Sequence, residues 1–336
     1  MKVGPLARAL SGSPLLRPYL IHTGQHYDPE MSRLFFEELE LPRPDRSLDV
    51  GSGTHAQQTA RVMERIEPVL LETDPAAVIV VGDVNSTLAA TLVATKLGRP
   101  VGHVEAGLRS YDRTMPEEIN RLVTDQLSRW LFTPSPEAEE NLLREGIDGE
   151  RIHFVGNIMI DTLARFLPLT DRSRIFERVP VERGAYALVT LHRPSNVDDP
   201  KRLAQVLDAL AAAAGQLPIL FPMHPRTRRR MEAGGLESRL QRAPGLHLLP
   251  PLGYIDFAAL MRAARLVLTD SGGIQEETTH LGIPCLTFRP NTERPVTVSM
   301  GTNRVLGEDP AAIGPAVRGV LERPLPATQP PPLWDG

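Results

Sequence analysis

Short apolar runs alternate with longer amphipathic stretches along almost the whole chain. Runs of four to six apolar residues predict strands at 19–22, 77–81, 100–104, 130–133, 152–155, 186–190, 218–222, 246–249, 265–269 and 284–288. The stretches between them predict helices at 55–73, 85–97, 116–128, 136–144, 202–214, 254–263 and 273–281. Continuous apolar strands that alternate with helices are typical of parallel sheets covered on both faces, so we expect an α/β fold.

The strands fall into two series, and the pattern breaks at about residues 165–183, where prolines and charged residues interrupt it. Since 336 residues also exceed the ~100–200 of one ordinary domain, we predict two doubly wound Rossmann-like domains, 1–168 and 169–336. Ligands of open α/β sheets bind beyond the carboxyl ends of the strands. We therefore expect the two domains to face a cleft that holds the active site.

Both ends of the sequence depart from this pattern. A helix start at Pro5 follows Met1 almost at once, and no opening strand precedes it. The proline-rich stretch 324–336 ends without a closing helix. A doubly wound domain normally opens with a central strand, so we expect the sequence to be a version of the natural protein shortened at both termini.

Composition and charge narrow the possible functions. The chain is 41% hydrophobic and 23% charged, which is normal for a soluble globular protein, and its formal net charge is −4. Such a charge gives no general attraction for nucleic acids or anionic membranes, so we expect neither as a partner. No stretch approaches the ~18–20 apolar residues of a transmembrane helix, and no signal peptide is recognised, so the predicted location is the cytoplasm.

Few residues are suited to hold a metal or a nicotinamide cofactor. The single cysteine, Cys285, excludes an internal disulfide and a thiolate zinc cluster, and its apolar surroundings predict a buried thiol. Segment 51–56 reads Gly-x-Gly-x-x-Ala before a helix, but the residues before it make a poor strand. No acidic residue follows at the ~20-residue spacing of a dinucleotide site. His-Glu-x-x-His is absent from the sequence, and we predict that the protein uses no cofactor.

Carboxylates follow two neighbouring strands of the first series. Asp83 comes after strand 77–81, Glu105 follows strand 100–104, and Glu117 and Glu118 open the helix at 116. A turn aspartate and acids in the first turn of a helix have ordinary structural explanations. Carboxylates that converge from adjacent strands also suit the removal and delivery of protons, because like charges push their pKa values apart.

Cations and small residues follow the strands of the second series. His192 and Arg193 follow the first strand, His224 and Arg226 the next, and Arg294 comes after the last strand. Residues 270–273 read Asp-Ser-Gly-Gly and open a helix, where backbone N–H groups can approach a phosphate. A plain helix cap is the alternative explanation of that segment. Together these residues predict an anion site.

Seven motifs carry a resemblance to a known family. They are Gly-Asp-Val-Asn-Ser-Thr (82–87), Gly-His-Val-Glu-Ala-Gly-Leu-Arg (102–109), Pro-Glu-Glu-Ile-Asn-Arg (116–121), His-Arg (192–193), Pro-Met-His-Pro (222–225), Thr-Asp-Ser-Gly-Gly-Ile-Gln-Glu-Glu (269–277) and Thr-Glu-Arg-Pro (292–295). With them the sequence resembles the bacterial non-hydrolysing UDP-N-acetylglucosamine 2-epimerases over nearly its whole length. The resemblance implies an isomerase with a GT-B-like fold, an active site in the interdomain cleft and a homodimer without metal or NAD. It also implies a role in cell-surface polysaccharide biosynthesis.

The resemblance also implies roles for individual residues. Asp83, Glu105 and Glu117 match the catalytic carboxylates of the family, and His192 matches its catalytic histidine. The residues that match its substrate-binding positions are Lys2, Gly253, Tyr254, Phe257, Ser271, Gly272, Gly273, Glu277 and Arg294. Within that set, Glu277 corresponds to a ribose contact, Arg294 to a diphosphate contact, and residues 253, 254 and 257 to the uracil site.

Some family features are changed in this sequence. The Gly-Thr-Arg-Pro-Glu loop that precedes the equivalent of Lys2 is missing. Many members bind a second UDP-GlcNAc as an activator through a Gln-x-x-Gln motif and an arginine. Here Gln25 is the only glutamine of that motif, and Ser52 stands near the arginine position, which argues against this activation.

The implied reaction interconverts UDP-GlcNAc and UDP-ManNAc. The hydrogen at C2 is not next to a carbonyl, so the tractable route eliminates UDP to 2-acetamidoglucal and adds it back from the other face. That route needs carboxylates near C2 and a cationic cradle for the departing diphosphate. Four alternatives remain: a hydrolysing epimerase, an epimerase of UDP-2,3-diacetamido-glucuronate, a GT-B glycosyltransferase and an inactive nucleotide-sugar binder.

Overall fold

A computed structural model of the chain describes residues 1–24, 38–236, 243–323 and 329–336. These residues form two compact units, Met1–Thr162 with Pro332–Gly336, and Leu163–Pro331. The sequence placed the boundary at 168/169 and assigned all C-terminal residues to the second domain. Residues 332–336 belong to the first unit because the buried indole of Trp334 donates a hydrogen bond to the carbonyl of Pro134 at 2.8 Å.

The first unit contains parallel strands and helices. Its strands are β1 (Ile21–His22), β2 (Arg46–Ser47), β3 (Val78–Val81), β4 (Val101–Val104), β5 (Trp130–Thr133) and β6 (Ile152–Phe154). Its helices are α1 (Val3–Ser11), α2 (His55–Thr73), α3 (Asn85–Lys96), α4 (Pro116–Leu127), α5 (Pro136–Arg144) and the start of α6 (Ile158–Phe166). Strands β1 and β2 pair in parallel, and a second parallel sheet has the order β3-β4-β5-β6.

Local sequence signals fix several helix starts in this unit. Thr54 and Gln57 form a capping box, in which each side chain bonds the backbone N–H of the other residue, at the start of α2. Pro116 and Pro136 open α4 and α5, at the position where a proline removes no intrahelical hydrogen bond. These signals explain why the predicted starts of these three helices are confirmed.

The second unit is a single six-stranded parallel sheet with helices. Its strands are β7 (Ala187–Thr190), β8 (Ile219–Pro222), β9 (Leu246–Leu249), β10 (Leu266–Thr269), β11 (Cys285–Thr287) and β12 (Asn303–Val305). The helices after α6 are α7 (Pro194–Val197), α8 (Pro200–Ala214), α9 (Pro225–Ala233), α10 (Tyr254–Arg262), α11 (Gly272–Leu281), α12 (Val296–Ser299) and α13 (Ile313–Glu322). Short 3₁₀ helices lie at Gly149–Arg151, Leu167–Arg172, Ile175–Glu177 and Pro310–Ala312.

The strand order of this sheet, β12-β11-β10-β7-β8-β9, defines a topological switch point. The chain runs outward from β7 to β9 in one direction and from β10 to β12 in the other. Thr190 of β7 and Thr269 of β10 are paired in register at the carboxyl end of this central pair. Because doubly wound sheets bind ligands at such a point, the residues that follow Thr190 and Thr269 are the primary site candidates.

Burial on both faces explains the unbroken apolar runs of the second series. All four residues of β8 and all four of β10 are buried. One hydrophobic cluster includes Leu207 and Leu268, and a second includes Leu188 and Val267, so neighbouring residues of one strand enter different clusters. Cys285 in β11 is buried as predicted, and burial raises the pKa of its thiol to about 11.

Some of the elements that the pattern did not predict are short or polar, but α6 and α13 are apolar helices of 9 and 10 residues. Strand β2 has two exposed residues, and β12 has three residues of which one is buried. Helix α9 contains four arginines and buries only Thr227 and Met231, so its apolar stripe is too narrow to recognise. Gln25 of the activator motif lies outside the described residues. Within the four described ranges, no helix has both the length and the apolar character needed to cross a membrane.

Candidate active site

Two predicted carboxylates leave the first unit's sheet at one edge. Val81 and Val104 end β3 and β4 as register partners, so Asp83 and Glu105 emerge from adjacent strand ends. Gly82, which directly precedes Asp83, has φ +75°, and a Cβ there would lie 3.4 Å from Oε2 of Glu105. Glu105 itself has φ +75°, a left-handed conformation that costs a non-glycine residue about 1–3 kcal/mol. Such strain is typical of functional sites.

Lys2 lies beside Glu105. Its Nζ donates to Oε2 of Glu105 in a short ion pair. The side chain of Glu105 is only 5% exposed, whereas that of Lys2 is 25% exposed. The structure therefore brings one predicted substrate-binding residue into direct contact with a predicted catalytic carboxylate, and the ammonium group balances a buried charge.

Arg121 of α4 joins Asp83 to the start of the same helix. This arginine is buried, and its Nη1 lies 2.5 Å from Oδ2 of Asp83. Its Nη2 lies 2.6 Å from Oε2 of Glu118. A single guanidinium thus neutralises two carboxylates and fixes the loop that carries Asp83 against α4.

Glu118 and Glu117 are adjacent in sequence but differ in their surroundings. The carboxylate of Glu118 accepts hydrogen bonds from the backbone N–H and hydroxyl of Ser110, both at 2.9 Å, and from the N–H of Tyr111 at 3.0 Å. Burial alone would raise the pKa of Glu118, but the bonds from Ser110 and Arg121 outweigh it and lower the pKa. Within the described part of the chain, the side chain of Glu117 makes no hydrogen bond or ion pair. Glu118 is therefore a structural group, and Glu117 is the carboxylate that remains available.

A buried histidine that the sequence analysis did not assign supports this edge of the sheet. His103 of β4 places Nδ1 2.6 Å from Oδ1 of Asp125 and Nε2 2.9 Å from the carbonyl of Gly82. Both ring nitrogens face acceptors, so the ring is an imidazolium. Burial alone lowers the pKa of His103, but Asp125 and the Gly82 carbonyl outweigh it and raise the pKa. Arg109 holds the other oxygen of Asp125 at 2.7 Å, so the chain just before Asp83 is anchored by a buried ionic network.

His192 and Asp270 meet at the switch point of the second unit. Nδ1 of His192 lies 2.9 Å from Oδ1 of Asp270, which follows β10 and is fully buried. The ring of His192 also packs near that of His224, with 5.5 Å between their centroids. Arg226, which the sequence placed with these cations, pairs with Asp198 at 2.5 Å. The structure therefore groups the two histidines and gives Arg226 an acidic partner.

Arg294 lies against the N-terminus of α11. A Cβ on Gly272 would be only 2.3 Å from Nη1 of Arg294, so a larger residue there would displace the guanidinium. The guanidinium is buried and pairs with Glu276 at 2.7 Å and with Glu293. The predicted phosphate-binding residues Ser271, Gly272 and Gly273 and the predicted diphosphate arginine are thus brought together. Backbone N–H groups of a helix start and a nearby cation are groups that can bind an anion.

Glu277 is a buried carboxylate one turn further along α11. The hydroxyl of Tyr254 donates to its Oε1 at 2.8 Å. Burial raises the pKa of Glu277 to about 7, although the bond from Tyr254 acts in the opposite direction. Gly253 caps α10, and the N–H of Phe257 donates to its carbonyl at 3.0 Å. Tyr254 therefore links the predicted uracil residues to the predicted ribose residue.

Neither a metal cluster nor a dinucleotide fingerprint is built in the described ranges. They contain no group of three or more His, Cys, Asp and Glu residues suited to a metal ion. Segment 51–56 leads into the capped start of α2. The strand before it, β2, consists of two residues, and both are exposed. The Gly-x-Gly-x-x-Ala spacing here thus lacks the buried strand that a dinucleotide-binding turn requires.

The sequence profile of the family described as UDP-N-acetylglucosamine 2-epimerase matches residues 8–336. The chain belongs to this family. The UDP-N-acetylglucosamine 2-epimerase of Methanocaldococcus jannaschii is 43% identical over 328 residues, which cover 96% of this chain and 89% of that relative. The UDP-2,3-diacetamido-2,3-dideoxy-D-glucuronate 2-epimerase of Pseudomonas aeruginosa is 42% identical over 310 residues, covering 91% of this chain and 85% of that relative.

The fold agrees with that of solved members of the epimerase family. A crystal structure of the M. jannaschii UDP-GlcNAc 2-epimerase in complex with UDP-GlcNAc and UDP matches with a TM-score of 0.91 at 42% identity. The match covers 98% of this chain and 91% of that chain. The predicted family, its isomerase class and the GT-B-like α/β fold class are confirmed.

Proposed function

We propose that this family member is a non-hydrolysing epimerase that interconverts UDP-GlcNAc and UDP-ManNAc. The observation that carries the proposal is the separation of chemistry between the two units. The first unit carries Asp83 and Glu105 after adjacent strand ends and Glu117 in the first turn of α4, and the second carries His192 beside Asp270 and Arg294 beside Gly272. Proton transfer and diphosphate binding are the two requirements of elimination and re-addition.

The first unit's carboxylates exchange the proton at C2. Asp83 pairs with the buried Arg121 and Glu105 pairs with the partly exposed Lys2, and each ion pair holds its carboxylate close to a strand end. Glu117 has no such partner in the described ranges and sits in the first turn of α4. We assign proton removal and return at C2 to these three groups, because inversion needs a proton donor and acceptor on both faces of the sugar.

The second unit holds UDP. In the proposal, Arg294, His192 and the N–H groups of residues 271–273 stabilise the charge on the diphosphate as the C1–O bond breaks. Glu277 accepts hydrogen bonds from the ribose hydroxyls, and Gly253 and Phe257 contact the uracil. Lys2 contributes to substrate binding beside Glu105. The 2-acetamidoglucal formed by loss of UDP and the C2 proton then receives UDP back at C1.

The proposal includes a homodimer in the cytoplasm that supplies UDP-ManNAc for cell-surface polysaccharide biosynthesis, with no metal or NAD. Light scattering after size exclusion should give about twice the chain mass of 37.0 kDa. A mass of one chain at micromolar concentration would contradict the dimer.

A second substrate is favoured by one specific observation. The P. aeruginosa relative that acts on the diacetamido-glucuronate sugar is 42% identical, almost as similar as the M. jannaschii relative at 43%. Its substrate carries a carboxylate and a second acetamido group, which would need an additional cation and space near the sugar.

Product analysis by ¹H NMR distinguishes the candidates. The enzyme is incubated separately with UDP-GlcNAc and with UDP-2,3-diacetamido-glucuronate, and anomeric signals are followed. UDP-ManNAc at equilibrium with UDP-GlcNAc is the expected result. Free ManNAc with UDP would indicate a hydrolysing enzyme, and turnover of the glucuronate alone would indicate the second substrate. Binding of UDP without any turnover would indicate an inactive binder, and sugar transfer only in the presence of an acceptor a glycosyltransferase.

A further inference from the structure

Asp270 makes more hydrogen bonds to the segment around His192 than a helix cap would need. Its Oδ2 accepts three hydrogen bonds: from the backbone N–H groups of His192 at 3.0 Å and Arg193 at 2.9 Å, and from Nδ2 of Asn196 at 3.0 Å. Its Oδ1 faces Nδ1 of His192 at 2.9 Å. Asp270 is fully buried, whereas the side chain of His192 is 39% exposed. A buried carboxylate therefore holds one edge of an accessible imidazole.

The protonation of Asp270 determines which hydrogen the ring carries. Burial alone would raise the pKa of Asp270, but the hydrogen bonds from His192, Asn196 and the N–H of Arg193 outweigh it and lower the pKa. An ionised carboxylate has no hydrogen to donate, so Nδ1 of His192 must carry one. Nε2, on the other side of the ring, is then the nitrogen that remains for a ligand.

We propose that Asp270 is a positioning residue for His192, which it fixes with a hydrogen on Nδ1 so that Nε2 meets the diphosphate of the UDP-sugar. This inference rests on the proposed function, because it assigns His192 to the departing UDP. As the C1–O bond breaks, its electron pair stays on the phosphate oxygen, and the C2 proton passes to a carboxylate of the first unit. Once Nε2 has taken up a proton from solvent, Nε2–H donates a hydrogen bond to that oxygen while Nδ1–H stays on Asp270, and the ring keeps both hydrogens.

The geometry makes Asp270→Asn a selective test. Three N–H donors point at the position of Oδ2, so the amide oxygen of asparagine takes that position and the loop keeps its contacts. The amide NH₂ then occupies the position of Oδ1 and faces Nδ1 of His192. Nδ1 must now accept, so the neutral ring carries its hydrogen on Nε2 and cannot become an imidazolium without an N–H···H–N clash.

Asn196→Ala is the matched control. It removes the two hydrogen bonds that Nδ2 of Asn196 donates, one to Oδ2 of Asp270 and one to the carbonyl of Phe288. The loop is therefore loosened, but the hydrogen of His192 stays on Nδ1. If loop geometry alone decides activity, the two variants lose turnover equally. If the hydrogen on Nδ1 of His192 decides activity, only Asp270→Asn loses most of its turnover.

The experiment combines ¹⁵N NMR of the histidine rings with kinetics on UDP-GlcNAc and titration with UDP. We expect the neutral ring of His192 to carry hydrogen on Nδ1 in the wild type and in Asn196→Ala, and on Nε2 in Asp270→Asn. Turnover of Asp270→Asn should fall at least ~100-fold, with KM and the dissociation constant of UDP within about threefold of wild type.

Four results test the role of Asp270. A wild-type ring with hydrogen on Nε2, or Asp270→Asn turnover within threefold of Asn196→Ala, would overturn the positioning role. An unchanged tautomer in Asp270→Asn would overturn it as well. A wild-type protein that shows the Nδ1–H tautomer and binds UDP but converts no UDP-GlcNAc would support the tautomer assignment and contradict the proposed function instead.

Discussion

Replacing Glu277 by glutamine should stabilise the protein at alkaline pH while weakening its binding of UDP. Burial raises the pKa of Glu277 to about 7 from an ordinary 4.5. The folded protein therefore retains a proton that the unfolded chain releases, so stability is full below about pH 4.5 and falls as the pH rises towards 7. The neutral amide of glutamine carries no such penalty and still accepts the hydrogen bond from Tyr254.

The size of the stabilisation by Glu277→Gln follows from the raised pKa of Glu277. At about 1.4 kcal/mol per pKa unit, a rise from 4.5 to about 7 corresponds to about 3 kcal/mol, which is the most that Glu277→Gln can return above pH 7. In a domain of this size each kcal/mol moves Tm by roughly 2–4 °C, so the upper limit is roughly 6–12 °C. Loss of a charged acceptor for the ribose should weaken UDP binding by about tenfold or more.

Thermal unfolding at pH 5 and pH 8, with and without UDP, measures both effects. The variant should melt several degrees above the wild type at pH 8 and close to it at pH 5, and UDP should stabilise it less than it stabilises the wild type. Tyr254→Phe is the matched control, because it removes the hydrogen bond that favours the charged form and should lower Tm more at pH 8 than at pH 5. Equal melting temperatures of Glu277→Gln and wild type at pH 8 would refute the reasoning.

The remaining predictions concern the reaction and the phosphate site. The amide substitutions of the three carboxylates are Asp83→Asn, Glu105→Gln and Glu117→Gln. Each should lower turnover at least ~100-fold with a much smaller effect on UDP binding, and a near-normal rate in kinetic assays would remove that residue from the catalytic set. Gly272→Ala should abolish measurable UDP binding by calorimetry, because the new methyl group would displace the guanidinium of Arg294. Dialysis against EDTA with removal of nucleotides should leave turnover intact, and its restoration only by zinc or NAD would show that a cofactor is needed.

The sequence predicts the strands and their carboxyl ends because buried parallel strands leave a strong apolar signal. Asp83, Glu105 and His192 could be selected on that basis, since each follows a predicted strand. The apolar pattern does not distinguish Glu117 from Glu118, because both occupy the first turn of a helix. The family resemblance selects Glu117, and the contacts of Ser110 and Arg121 with Glu118 separate the two residues in the structure.

Residues that act through long-range contacts leave little local signal. His103 and Asp125 are 22 positions apart, and Asp270 is 78 positions from His192, so their pairing depends on which strands become neighbours. His103 and Asp270 each lie within one of the seven family motifs, which was the available hint. Asp270 received no role of its own from the sequence, because segment 270–273 could be interpreted as a phosphate-binding helix start or as a plain helix cap.

The fate of the C2 hydrogen tests the central claim most directly. UDP-GlcNAc is incubated with the enzyme in D₂O, and both UDP-sugars are analysed by NMR and mass spectrometry as equilibrium is approached. Elimination and re-addition predict deuterium at C2 of UDP-ManNAc from the first turnovers, with retention of UDP in the product. UDP-ManNAc formed with hydrogen retained at C2 would contradict the account.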